Sequence, residues 1–369
     1  MSETWAELLE RPEIHFDPAR LRDVVAGRRV LITGAGGSVG GALARTLIGW
    51  DLACLILLDW HEASLFHLEQ TLASSGLGVV SIQPRYVLAD VRDRRKMDHL
   101  LRRQPVDLIF HLAACKHVSL GEANPDQAVS VNIGGTLDLV GVAAERDVAT
   151  FVYPSTDKAV TPSSLYGATK RVVERSLQAL AATGDGPALR VVRLVNVFGT
   201  QGSVIETFAR KVRRGEALPI TDPRMDRYWI TMAEANALLL AAAGRPRFEG
   251  FYLLDVGDPV PIGDTARKVY RILRGAGEPN LQLVGGRPGE RLHEYLAYDD
   301  EDLRSTELPG LRVAVSPPSA IGADAWLTEI RRLTDALYDL DSAKIRERVF
   351  ELAAAKSLTR ASNGSSGWT

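Results

Sequence analysis

The chain has 369 residues, 46% of them hydrophobic and 24% charged, with a formal net charge of −2. That length allows about two domains at about 100 to 200 residues each and a sizeable core, and near-neutral charge argues against nucleic acid or an anionic membrane surface as the main partner. The two cysteines, Cys54 and Cys115, do not indicate a disulfide framework or metal cluster, and without a signal-like N-terminus or a spanning apolar run the expected location is the cytoplasm, with no membrane partner.

In chain order, residues 1–27 read as an N-terminal extension, followed by apolar strand-like runs at 29–33, 54–59, 79–81, 107–112, 150–155 and 189–194. Amphipathic helical patterns fall between them, at 65–74, 94–103, 128–145 and 166–183. Such alternation predicts an α/β fold, a Rossmann-type doubly wound parallel sheet, over 28–200, with later segments returning to it around 228–257. After Asn196-Val197-Phe198-Gly199 the strict alternation fails. Residues 201–227 and 258–310, with Pro219, Pro223, Pro259 and Pro261, are expected to form a smaller C-terminal substrate-binding lobe. Helical patterns near 324–340 and 342–355 define C-terminal helices over 311–355, and the Gly/Ser-rich 356–369 reads as a disordered tail.

The first strand, Val30-Leu31-Ile32, runs into Thr33-Gly34-Ala35-Gly36-Gly37-Ser38-Val39-Gly40 and then a helical pattern. Strand, glycine turn and helix in that order make a dinucleotide site: Gly34 for the tight turn, Gly37 for close approach to a pyrophosphate, Gly40 for helix-to-strand packing, and Gly36, Ser38 and Val39 as neighbouring backbone. The second strand ends at Asp59, about 20 residues on, where a carboxylate accepts both adenosine ribose hydroxyls and repels a phosphate. No Arg or Lys lies between Asp59 and Gln70, so the expected cofactor is NAD rather than NADP.

Thr156-Asp157-Lys158 precedes Tyr166 and Lys170 by about ten residues. Tyr166 and Lys170 are four apart and share a face if helical, so the ammonium is expected to lower the phenol toward neutrality and make it a base for alcohol oxidation. Asp157 and Lys158 exceed what an alcohol dehydrogenase needs and suggest an elimination after the oxidation. His15, His61, His67 and His293 have no ligand-like spacing, so no metal is expected.

The motifs "HLAACKHVSLGEANP" at 111–125, "STDKAVTPSSLYGATKR" at 155–171, "NVFGTQGSV" at 196–204, "ITDPRMDRYWIT" at 220–231 and "GGRPGERLHE" at 285–294 give the chain a family likeness. It resembles the extended short-chain dehydrogenase/reductase superfamily, and within it the polysaccharide-biosynthesis group of UDP-N-acetylglucosamine 4,6-dehydratases of inverting type. The resemblance implies that Tyr166, backed by Lys170, deprotonates the 4-hydroxyl as hydride leaves carbon 4, with Thr156 bonded to the 4-oxygen. Lys158 is then the base at carbon 5 and Asp157 the acid at the 6-hydroxyl. It implies cofactor contacts at Asp90, Val91, Ala113, Ala114 and Lys116, besides Tyr166 and Lys170. Sugar-nucleotide contacts are implied at Lys116, Asn196, Ser203, Val204, Thr221, Met225, Arg227, Arg287 and Glu290, the two arginines suiting diphosphate and ribose oxygens. A homo-oligomer, a dimer or larger, is implied through helices 128–145 and 166–183. Cys115, Gly121 and Gln201 depart from the family pattern, which leaves the hexose and the nucleotide base open. An NAD-dependent epimerase shares the Tyr-x-x-x-Lys oxidation but lacks the elimination couple, and a non-catalytic nucleotide sensor would not need Thr156, Tyr166 and Lys170.

Overall fold

The structure is a computed structural model that describes residues 5–74, 82–246, 248–286, 288–317 and 322–355. Six strands, β1 (Arg29–Thr33), β2 (Cys54–Asp59), β3 (Arg85–Leu88), β4 (Leu108–His111), β5 (Thr150–Thr156) and β6 (Ala188–Leu194), form a parallel sheet in the order β3-β2-β1-β4-β5-β6. The order reverses between β1 and β4, and there the carboxyl ends open a crevice. Leu31, Ile56, Ile109 and Phe151 face one hydrophobic core, and Val30, Ile32, Leu57 and Phe110 face the other, so both sheet faces are covered and these strands read as unbroken apolar runs.

Three departures from the sequence pattern have local causes. The candidate strand at 79–81 lies outside the described residues, and β3 is instead an edge strand with exposed ends, too short and too polar at its start to stand out. In the 311–355 unit, whose helical patterns lie near 324–340 and 342–355, the leading residues Leu311–Val315 form a strand that pairs antiparallel with Phe251–Leu254, which itself extends the sheet beyond β6, and with Asp302–Ser305. Its alternation of Leu311, Val313 and Val315 with Arg312 and Ala314 suits an outer strand. The helix expected over 128–145 is present, running from Pro125 to Glu145, but it widens into a π-helical turn at Ser130–Gly135. The wide turn places Asn132 so that its amide accepts from Cys115 N and donates to Cys115 O and Thr169 Oγ1, clamping the segment after β4 to the helix that carries Tyr166.

Beneath that clamp His111 is fully buried, with Thr33 Oγ1 2.7 Å from Nδ1 and Thr136 Oγ1 2.9 Å from Nε2. Thr136 donates its own hydrogen to Asn132 O, so Nε2 must donate and Nδ1 must accept from Thr33: the ring is neutral and its tautomer is fixed. Burial, with Lys170 adding repulsion, pushes His111 from 6.5 down to about 3. Its folded pKa lies below the unfolded one, so its contribution is complete above about pH 6.5 and is lost as pH falls toward 3. Urea unfolding should therefore show wild type losing a few kcal/mol more than His111→Asn on acidification from pH 7 to pH 4; equal losses would remove His111 from the acid response.

A third core forms the smaller lobe, where helices Val204–Arg214 and Ile262–Arg274 bury Ile205, Phe208, Val212, Ala266 and Val269 together with Leu8 of the N-terminal segment. A strand pair, Leu218–Ile220 with Leu281–Leu283, lines its edge. The C-terminal helices Ala323–Asp335 and Ser342–Ala354 lie on helix Leu165–Thr183, where Trp326 donates to Ser176 Oγ at 2.8 Å. Of the two helices expected at a contact with a second copy, Leu165–Thr183 thus packs against the chain's own C-terminal helices. Among the described residues no helix is long and apolar enough to cross a membrane.

Candidate active site

The glycine turn is built for close approach. Gly34 has φ +67°, and a Cβ there would lie 2.6 Å from Ala113 N; at Gly40 a Cβ would lie 2.2 Å from Gly34 O. Gly37 caps helix Ser38–Leu47 without a side-chain hydrogen bond, so the first-turn N–H groups of Ser38, Val39 and Gly40 have no capping side chain and face a phosphate-sized anion readily. Asp59, nearly buried at the end of β2, accepts from Gly36 N at 2.9 Å and His61 N at 2.9 Å. Asp90 follows β3 and is gripped by Arg92, whereas Val91 is buried in the core and offers only its backbone. Ala113 packs against Gly34, and Ala114 is half-buried beside it. The cradle and the acidic strand end fit a dinucleotide. Arg45, one turn further along the helix, lines the same cleft with Ser64 and His67; in sequence it resembles any solvated helical arginine, so it was missed. Gly40→Ala should weaken dinucleotide binding at least tenfold and lower the melting temperature, as overpacking costs about 1–3 kcal/mol; unchanged dinucleotide titration and melting would contradict the cradle.

At the end of β5 the chain turns into a 3-10 turn, Asp157–Ala159, and Ser164 then caps helix Leu165–Thr183. This brings the acid, the amines and the phenol into one cluster. Asp157 is fully buried; its Oδ1 accepts from Thr156 Oγ1 at 2.8 Å and from Lys158 Nζ at 3.1 Å, while Oδ2 has no donor among the described residues. Burial, reinforced by the Glu294 charge and opposed by Lys158, pushes Asp157 up to about 7. The proton that the raised Asp157 holds near neutral pH lies beside the Glu294 carboxylate. Burial also disfavours the Lys158 charge, but Asp157 and Glu294 outweigh it and hold this amine well above its ordinary value, an ammonium in the resting site.

The expected effect of Lys170 on Tyr166 is not found. Burial pushes Tyr166 up to about 12, and the amine that pulls against it is Lys158. Lys170 shares the helix face, yet its Nζ donates to Pro154 O at 2.8 Å and sits 4.3 Å from the centre of the Tyr153 ring. Burial lowers it to about 7, against Glu174, so it is only partly charged near neutral pH.

A cleft between the sheet and the lobe gathers Lys158 with Lys116, Asn196, Ser203 and Val204. Thr221, Met225, Arg227 and Glu290 line the same cleft, and Arg287 lies outside the described residues. Eight of the nine expected sugar-nucleotide residues therefore meet in one place. Lys116 Nζ donates to Gln201 O at 3.3 Å and Ser38 Oγ accepts from Gln201 N at 2.9 Å, so the segment after Phe198 bridges this cleft and the glycine turn. Arg227 is nearly buried and spends its guanidinium inside the protein, on Leu292 O, Arg291 O and Glu294. Glu294 was not singled out in the sequence. It is buried, 2.8 Å from Lys158 Nζ and 3.3 Å from Arg227 Nε, and accepts from Asn196 Nδ2 at 2.9 Å. It lies more than 130 residues from Lys158, and only the "GGRPGERLHE" motif hinted at it.

The family model for polysaccharide biosynthesis proteins matches residues 30–316. The chain is 36% identical over 297 residues to capsular polysaccharide biosynthesis protein CapD of Staphylococcus aureus, covering 80% of this chain and 49% of that protein. It is 31% identical to a UDP-N-acetylglucosamine 4,6-dehydratase (inverting) of Campylobacter jejuni, covering 79% and 83%. The crystal structure of a DesIV double mutant, a dTDP-glucose 4,6-dehydratase from Streptomyces venezuelae with NAD and DAU bound, superposes with a TM-score of 0.59 at 25% identity, covering 72% of this chain and 86% of that one. The chain spans about half the length of the longer curated relatives it matches. By family model and by identity alike, the chain belongs to the polysaccharide biosynthesis protein family, on the Rossmann-type fold of the short-chain dehydrogenase/reductase superfamily.

Proposed function

We propose that this chain is an NAD-dependent nucleotide-sugar 4,6-dehydratase acting on UDP-N-acetylglucosamine or a related nucleotide hexose. The observation that carries this is the buried Asp157–Lys158 couple beside Thr156 and Tyr166, one residue of which opens into the sugar-sized cleft. Bound at the glycine turn and Asp59, a nicotinamide dinucleotide supplies acceptance and return of hydride. The protein does the rest: Tyr166 takes the 4-hydroxyl proton, Thr156 holds the 4-oxygen, Lys158 takes the carbon 5 proton that the 4-ketone has acidified, and Asp157 protonates the departing 6-hydroxyl. Asn196, Ser203, Val204, Thr221, Met225 and Glu290 shape the cleft for the sugar nucleotide, Lys116 stands between its two ends, and Arg287 belongs to the same set by resemblance. Arg227 acts indirectly, by holding Glu294. Asp59 favours NAD over NADP because a ribose phosphate there meets a carboxylate.

Incubation with UDP-N-acetylglucosamine and NAD should give a product lighter by one water. An unchanged mass with altered sugar stereochemistry would establish the epimerase instead, and no turnover of any sugar nucleotide would leave only a binding protein. Run in deuterated water, the same reaction places deuterium at carbon 5, and the stereochemistry there reports whether the centre inverts.

A further inference from the structure

An ammonium cannot take a proton, so Lys158 needs somewhere to put the one it holds. Glu294 is the group in reach: its Oε1 lies 2.8 Å from Lys158 Nζ, and its side chain is buried while Lys158 opens into the cleft. We propose that Glu294 is the third member of the acid–base set, the proton acceptor that turns the Lys158 ammonium into an amine once the sugar fills the cleft. This role rests on the dehydratase proposal above.

The step balances without an outside proton. Lys158–NH₃⁺ and Glu294–COO⁻ become Lys158–NH₂ and Glu294–COOH. The amine lone pair then takes the carbon 5 proton, the carbon 5–H electrons form the new double bond, and the carbon 6–oxygen bond breaks as Asp157 gives its proton, so that water leaves. A sugar that displaces water favours the shift, because a neutral pair loses less than an ion pair in a drier site. The charged and titratable groups facing Glu294 are Lys158 and Asp157 from the turn after β5, Arg227 and Tyr228 from the segment before Trp229, and Arg291 of its own segment. Burial holds the Asp157 proton near neutral pH and the Glu294 charge adds to it, so Glu294 touches both partners of the elimination.

The test is the pH profile of kcat/KM for dehydration in the dinucleotide-loaded enzyme. Wild type should lose rate above about pH 7 as the Asp157 proton departs. Glu294→Gln keeps size but cannot accept the proton or repel the Asp157 charge. It should fall at least about a hundredfold near neutrality and, with Asp157 ionised and Lys158 charged over a wide range, become flat through mildly alkaline pH. Glu294→Asp keeps a carboxylate and should keep the falling alkaline limb at reduced rate; where Glu294→Gln does not fold, this variant decides, and a flat profile for it overturns the role. A Glu294→Gln enzyme that is merely slower, with the alkaline limb unmoved, also overturns the role while leaving the dehydratase proposal intact. Wild type that releases no dehydrated product overturns both.

Discussion

Lys158→Ala should release dehydrated product about a thousandfold more slowly than wild type, while oxidation at carbon 4 still occurs, slowed because Tyr166 loses the amine that lowers it, and reduced nicotinamide accumulates with the 4-keto sugar. The separation follows from geometry: Tyr166 and Thr156 serve the 4-oxygen, and Lys158 is the cluster member that lines the cleft. The substitution also leaves the Asp157 and Glu294 carboxyls together in a buried site, with Arg227 still paired to Glu294. Breaking a buried pair in this way costs about 3–5 kcal/mol, so the variant should melt lower than wild type. Both readouts are needed, because lower melting alone reports the ion pair and not the chemistry. Normal release of dehydrated product by a folded Lys158→Ala enzyme would remove Lys158 from the elimination.

Tyr166→Phe should act one step earlier. It deletes the single oxygen that can take the 4-hydroxyl proton, and little else, since the ring stays at the start of helix Leu165–Thr183. A general base of this kind contributes about 10² to 10⁴ in rate, so no reduced nicotinamide should appear on mixing with substrate, and dehydration should fail with it. Melting should stay near wild type, which separates this variant from Lys158→Ala. The resting phenol is pushed up to about 12, so wild-type oxidation should speed up as pH rises through the neutral range, the opposite slope to elimination. An oxidation rate indifferent to pH, or surviving in Tyr166→Phe, would point to a different base.

The two slopes make one claim about the site. Oxidation wants Tyr166 without its proton and elimination wants Asp157 with one, and Lys158 stands between them, lowering the first and opposing the rise of the second. A base change at any of the three should therefore move the other two, so single substitutions here are not additive.

Local pattern determined much of this protein. The apolar runs of β1, β2, β5 and β6 announce buried parallel strands, Gly34 and Gly40 announce a turn with no room for a side chain, and Thr156, Asp157, Lys158, Tyr166 and Lys170 fall within fifteen residues, so chain continuity alone brings them near one another. What tertiary structure decided is everything that depends on burial and on partners far apart in the chain. A strand like Leu311–Val315 joins the sheet only because Phe251–Leu254 offers an edge. Lys170 is four residues from Tyr166, yet it is drawn to Pro154 O and pushed down by burial. Glu294 meets Lys158 only in the folded chain, and there its charge adds to burial in holding the Asp157 proton. Sequence spacing fixes which groups share a turn or a face, but protonation is set by desolvation and by the nearest charges, and those are properties of the folded chain.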